Sequence, residues 1–380
     1  MNYDFFRANL CNSWRKKLYL CQSNNQTEMA SNSIGKVFVL TTFGESHGEA
    51  IGGVVDGCPA NITVDYALIR TKLKQRNTAP FPKNRRKEED KVKFLSGILD
   101  GKTTGMPIAF VIANTDVHSE DYRQEYQVLK PSHAHYVYWQ KYGLFDPRGG
   151  GRASARETAS WVVAGCFAMM LLKQYNIHIE AYTTQIGKVK WEHSLEGIEG
   201  MIEENNLHCP DTVVAQQMLD VLEEMAKDKN TIGCKVGCVM KNVPVGLGEP
   251  VFEKLSANLA KAVMSIPAAK GFEYGMGFAA AAKRGSEAND IFLPSFRTKT
   301  NFSGGIQAGI SNGEPIYFST VFKPIPSIMQ DQPTVNTSGE SCILYGTGRH
   351  DICAAPRVLP VVEAMAALTL ADLLIMVNYQ

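Results

Sequence analysis

Arg148-Gly149-Gly150-Gly151-Arg152-Ala153-Ser154-Ala155-Arg156-Glu157-Thr158, running on through Thr158–Tyr175 (TASWVVAGCFAMMLLKQY), is the stretch around which the rest of the chain is organised. Consecutive glycines let the backbone take positive φ and come close to a ligand. Arginines at spacings of four present planar donor forks suited to phosphate or carboxylate. The segment that follows is apolar almost all round, which predicts a helix buried in the core. A cationic loop feeding the N-terminus of such a helix describes an anion site. A solvated turn with surface arginines would be spelled the same way, so the letters alone leave both readings standing.

Outward from this stretch, the composition sets limits. The chain has 380 residues, 44% of them hydrophobic, enough for one wide layered domain or for two. A formal net charge of +1 gives no general pull toward nucleic acid or membrane, so any cationic function is local. Nine cysteines lie scattered and mostly in apolar runs. Only Cys234 and Cys238 approach ligand spacing, and no second pair matches them, so no metal site and reduced thiols in the cytoplasm are the expectation. Residues 1–30 read as a poorly ordered or non-native extension without the apolar run of a signal peptide. Residues 31–380 read as a single catalytic domain. The membrane-length apolar stretch Val358–Val377 carries Pro360, Glu363 and Asp372, which predicts an amphipathic C-terminal helix rather than a span.

Strands are expected over Lys36–Thr42, Ile51–Asp56, Val92–Leu99, Pro107–Ala113, Ile177–Ile186, Gly233–Val243 and Ile316–Lys323. Helices are expected over Asp65–Arg76, with Thr63 as cap, and over Pro210–Lys229 and Glu253–Ile266. The stretch from Asn114 to Gly151 loses its period and reads as a long functional loop, and Asn77–Asp90 as an exposed one. Strands come in neighbouring pairs rather than in βαβ alternation. The fold class is therefore α+β, antiparallel sheets layered with helices.

Gly44-Glu45-Ser46-His47-Gly48 matches the nucleophile elbow of serine hydrolases letter for letter. That elbow needs a helix after it, and the residues that follow, Glu49–Gly57, are glycine-rich and β-branched, so the hydrolase reading is set aside. What remains is His47 in a tight turn. His47, His133 and His350 each sit in a loop-like stretch beside Ser, Arg or Asp, a setting for acid–base work near neutral pH. Basic residues gather in the same loops, among them Arg76, Arg148, Arg152, Arg156, Lys323, Arg349 and Arg357. If they converge, the ligand carries several negative charges.

With these pieces in order the chain resembles the chorismate synthase family. The resemblance is carried by Thr42–Gly48, Pro131–Ala134, Arg148–Thr158, Gly246–Phe252, Ser303–Gly313, Lys323–Ser327 and Gly348–Asp351, in the family's order. It implies a homotetramer with a β-α-β sandwich body that binds reduced FMN, with NADPH as a reductant to be considered. It implies the 1,4-trans elimination of phosphate from 5-enolpyruvylshikimate 3-phosphate to give chorismate. By resemblance His47 protonates the leaving phosphate with Ser46 assisting, and His133 keeps the reduced flavin suitably protonated. Asp351, with Ser154 near it, helps to take the proton from flavin N5. The implied flavin contacts are Arg152, Ala153, Ser154, Ala268, Ala308, Lys323, Pro324, Ile325, Pro326, Ser327 and Arg349. The implied substrate contacts are Arg76, Arg148, Arg156 and Arg357.

The chain departs from the family's pattern at five places. Asn77-Thr78-Ala79 thins a basic run, His135 stands for an Asp, Phe145 for an Arg, Pro267 for an Asn and Phe302 for a His. Each lost charged contact to a phosphate removes about 1.5–3 kcal/mol of binding. The acid–base trio is intact, so an active enzyme with an altered anion pocket is implied. The alternative is a family member that binds flavin or polyanion only.

Overall fold

The chain divides into two compact units, Met1–Ser33 and Ile34–Gln380. The computed structural model describes residues 31–78, 90–115, 127–146, 150–192, 205–346 and 351–378.

In the second unit, Val39–Gly44 (β1) alternates strictly, Leu40 and Thr42 inward and Thr41 and Phe43 outward, as a strand with one covered face must. It pairs antiparallel with Ala50–Asp56 (β2), Leu40 opposite Val55. Two further antiparallel strands extend this sheet, Val92–Phe94 (β3) on Ile108–Ala113 (β4), and β4 on β2. Between β2 and β3 comes the helix Tyr66–Arg76 (α1). It is capped by Asp65, whose carboxylate accepts from the Leu68 N–H at 2.9 Å, and not by Thr63, which bridges to Lys102. The expected strand Val92–Leu99 is broken at Gly97, which has φ +80° and leaves no room for a Cβ against Ile108. A second correction concerns the supposed structureless stretch before Gly151, which contains the helix His135–Tyr142 (α2), closed by Gly143 at φ 75°. Its His-Tyr-Val-Tyr-Trp sequence has weak helix propensity and no side-chain cap, so nothing local announces it.

Thr158–Lys173 (α3) is the buried helix predicted from its composition. His178–Ile186 (β5), Thr212–Lys227 (α4, capped by Asp211), Cys234–Lys241 (β6), Leu255–Met264 (α5), Ala269–Tyr274 (β7) and Ile316–Phe322 (β8) follow. The strands build a second antiparallel sheet in the order β7-β8-β6-β5. Leu359–Asn378 (α6) ends the chain.

Helices α3 and α6 pack on one another between the sheets, α3 against the first and α6 against the second, which makes the β-α-β sandwich. The two helices come so close that a Cβ on Gly165 would lie 2.4 Å from that of Ala364. Here the expected amphipathic C-terminal helix is overturned. Although long and apolar enough to cross a membrane, 89% of its apolar window is buried inside the protein, as the central core helix. Its two carboxylates survive there because both are paired. Glu363 meets Lys72 of α1 at 2.5 Å and accepts from the Ala181 N–H of β5 at 3.1 Å. Asp372 accepts from the backbone N–H groups of Lys36, Val37 and Phe38 at 2.7–3.0 Å, fastening the chain that leads into β1.

Candidate active site

The loop before α3 is two turns of 3-10 helix, Gly151–Ala153 and Ala155–Glu157, joined at Ser154. Gly150 and Gly151 take φ 87° and 53°, which fits the glycine run to its place. Ser154 Oγ accepts from the Arg156 N–H at 3.3 Å and so caps the second turn.

Arg152 reaches across to β1. Its guanidinium donates to Thr42 Oγ1 at 2.8 Å and Gly44 O at 3.2 Å, and pairs with Glu157 at 2.8 Å. Burial pushes the Glu157 carboxyl up, against the opposing pull of the Thr42 hydroxyl and of Arg152. The turn holding Ser46 and His47 springs from the end of β1, closed by Gly48 N–H to Glu45 O at 3.1 Å. Strand β2 follows it and no helix does, so the serine-hydrolase geometry is absent there. Asn114 Nδ2 donates to both Glu45 O and Gly48 O, and its Oδ1 accepts from Arg156 Nε at 2.9 Å. One amide therefore ties the His47 turn to the arginine loop.

Arg76 and Arg156, expected at the substrate, are both buried and both engaged with protein groups. Arg76 donates to Thr158 Oγ1 at 2.9 Å and to Ala155 O at 2.8 Å. Each pairs with Asp90, whose carboxylate has no solvent exposure and also accepts from Asn77 Nδ2 at 3.0 Å. Sequence reasoning placed Asp90 in an exposed loop. No local signal marks it, because the pairing depends on where the fold places Arg76 and Arg156. Arg357 joins the same region, its guanidinium 2.9 Å from Asp351 Oδ2 and its Nε 3.3 Å from Thr78 O.

His133 lies on the other flank. A Cβ on Gly150 would be 3.0 Å from its ring. Its Nδ1 is buried and has no hydrogen-bond partner among the described residues. Burial pushes this imidazole down to about 3, helped by the charges of His135, Lys130 and Lys323. Lys323, itself held below the ordinary lysine value by burial and by Lys270, donates to Ser132 O at 3.0 Å. Its backbone N–H bonds Ala268 O at 3.0 Å. Pro324 packs by Gly233, Ile325 O accepts from Thr231 Oγ1, and Ile352 O accepts from Ile232 N–H, so the 323–327 and 351–352 segments attach to one edge.

The described contacts thus link the segments carrying Ser46, His47, Arg76, His133, Arg152–Arg156, Ala268, Lys323–Ser327, Asp351 and Arg357 around one loop. They do not bring Ala308 there. It is exposed, at φ 51°, on a hairpin docked at the start of α5 through Leu255 N–H to Gly309 O. Arg148 and Arg349 lie outside the described residues. A cavity of about 220 Å³ opens beside the loop, lined by Glu45, Tyr138, Phe145, Asp146, Arg152 and others. None of His47, His133 and Asp351 is on its wall.

Fold and contacts together define an α+β sandwich protein whose arginine-rich loop is tied to segments bearing histidine and aspartate. The family model for chorismate synthase matches residues 38–375. Chorismate synthases of Christiangramia forsetii and Parabacteroides distasonis are each 51% identical to this chain, covering 90% of it and 97% and 98% of themselves. A crystal structure of a chorismate synthase superposes with a TM-score of 0.72 at 28% identity, over 90% of this chain and 93% of that one. The chain belongs to the chorismate synthase family. It is a lyase that eliminates phosphate from a small-molecule substrate, 5-enolpyruvylshikimate 3-phosphate, giving chorismate in the shikimate pathway to aromatic amino acids.

Proposed function

We propose that this chain runs the elimination with reduced FMN in the loop cluster and with His47, His133 and Asp351 as its proton-handling groups. The observation that carries the reading is that segments distant in sequence meet near the loop at 150–158: Asn114 ties the His47 turn to Arg156, Gly150 lies against His133, and Asp351 is linked through Arg357 to Thr78, beside the Arg76 that donates to Ala155 O. The orphaned Nδ1 of His133 fits a site made to receive a further polar group, since a buried polar atom without a partner costs stability.

When bound, reduced FMN would supply electron density to the breaking carbon–oxygen bond. Arg152, Ala153, Ser154, Ala268, Lys323, Pro324, Ile325, Pro326, Ser327 and Arg349 would hold it, and Ala308 if its hairpin reaches a neighbouring copy. His47, with Ser46 beside it, delivers a proton to the departing phosphate oxygen. His133 is a neutral imidazole at neutral pH before anions arrive, and a nearby anion would raise its affinity for a proton. Asp351, oriented by Arg357, would serve as the proton acceptor beside the bound flavin, with Ser154 assisting. Arg148 and Arg357 meet the substrate's anionic groups, while Arg76 and Arg156 act through their field, their donors being engaged within the protein. Family membership carries a reduced flavin and not its reductant, so NADPH forms no part of this proposal.

A cytoplasmic homotetramer completes the reading. The segment 275–299 exposes Phe278 and Phe296 by 79% and 86%, which suits burial between copies, and all seven described cysteines are free thiols. Light scattering tests the assembly. The activity is tested anaerobically with reduced FMN and 5-enolpyruvylshikimate 3-phosphate. Release of phosphate without net flavin oxidation is expected, with a large loss in His47→Ala. Flavin binding by folded protein with no phosphate released would instead leave a binding-only family member.

A further inference from the structure

No hydrogen bond among the described residues fixes the Nδ1 side of His133, and the outer torsion of an imidazole is intrinsically broad. Its orientation is therefore set by what it packs against. On one side is Gly150, where even a methyl group would crowd the ring. His133 also meets His135 edge-on, ring centroids 4.2 Å apart and planes at 70°. His135 is in turn stacked on Phe145, centroids 4.8 Å apart at 26°. His135 opens α2 and Phe145 comes two residues after Gly143 closes it, so the helix and its left-handed cap bring the two rings together. His135 is 1% exposed, deeper than the imidazole it supports.

We propose that His135, backed by Phe145, is the positioning residue for His133, holding that imidazole against Gly150 in the orientation the loop cluster uses. The inference rests on the role given to His133 above and deepens it. The ionisable groups facing the pair are Lys130 and Lys323 on the His133 side and Lys130 and Asp146 around His135. Burial and Lys130 hold His135 down to about 4, so at neutral pH both rings are neutral and meet as shapes rather than as charges. A shape role predicts that a ring of similar size can substitute, whereas a truncated side chain cannot.

The test follows the imidazole signals of ¹⁵N-histidine-labelled, ligand-free protein through a pH titration, with His133 assigned from its missing signal in His133→Asn. Reduced-FMN affinity and turnover are measured alongside. In His135→Ala the His133 midpoint is expected to rise by about one pH unit or more as water and space reach the ring. Turnover should fall by about ten- to a hundredfold through misplacement. His135→Phe should keep turnover within about twofold of the parent by preserving the wall, with the His133 midpoint rising by less than in His135→Ala because only the charge of His135 is lost. Phe145→Ala should reproduce His135→Ala, and the double variant should be no worse than either single one, because one unit is being broken. A His133 signal that titrates in His135→Ala as in the parent would overturn the proposal, as would His135→Phe being as impaired as His135→Ala. If the parent shows no turnover while the His133 signal still responds to position 135, the reaction assignment fails and the positioning role stands.

Discussion

Asp90→Asn removes one negative charge from beneath the anion loop with almost no change in volume. The parent carboxylate has no exposed surface and is shared between Arg76 and Arg156, whose side chains are 10% and 3% exposed. Taking one partner from a buried ion pair costs about 3–5 kcal/mol, because a desolvated cation is left uncompensated. The lower end applies here. Arg76 keeps Thr158 Oγ1 and Ala155 O, and Arg156 keeps Asn114 Oδ1 and Ala113 O. With an unfolding entropy of about 2.1 cal/mol/K per residue over roughly 350 residues, a loss of about 3 kcal/mol lowers Tm by about 4 °C. Thermal unfolding followed by circular dichroism reads this directly. Adding Arg156→Met should recover part of the loss, since the second variant removes a charge that the first left unpaired. A single variant that melts within 1 °C of the parent by the same assay, roughly 0.7 kcal/mol, would refute the idea that Asp90 clamps the two arginines.

Asp372→Ala strips the acceptor from three backbone N–H groups, and a loss of about 2–4 kcal/mol is expected, with hydrogen exchange accelerating at residues 36–38. Gly165→Ala sets a methyl group 2.4 Å from Ala364 in the α3–α6 contact, so overpacking of about 1–3 kcal/mol should outweigh the gain in helix propensity in a urea titration. His133 and His135 are held below the ordinary histidine value of 6.5, to about 3 and about 4. The unfolded chain takes up these protons first, so their contribution is fully present above about 6.5 and is lost as pH falls toward about 4. The slope approaches about 1.4 kcal/mol per pH unit for each ring, and replacing both by Asn should flatten the urea midpoint across that range.

The elements most readily foreseen are those with a clear period. Strand β1 alternates, α4 repeats its apolar residues at helical spacing, and α3 is apolar throughout. Helix α2 escaped because its aromatic, uncapped sequence is stabilised by packing rather than by propensity. Glu363 and Asp372 by themselves predict an amphipathic C-terminal helix. A charged letter does not disclose a partner, and both carboxylates find theirs hundreds of residues away in α1 and at the start of β1. At the site, the glycine–arginine loop and the histidine turn stood out locally. The direction in which Arg76 and Arg156 point did not, because it depends on Asp90 being folded beneath them.

The order of short motifs along the chain, each a local demand of backbone or charge, determined the family, the layered α+β body and the residue types the reaction uses. Only the folded molecule decided which charges face one another, which histidine props another, and which apolar helix becomes the centre. Those outcomes depend on contacts between residues far apart in the chain, where burial strips water away and makes each pairing either strongly favourable or prohibitive.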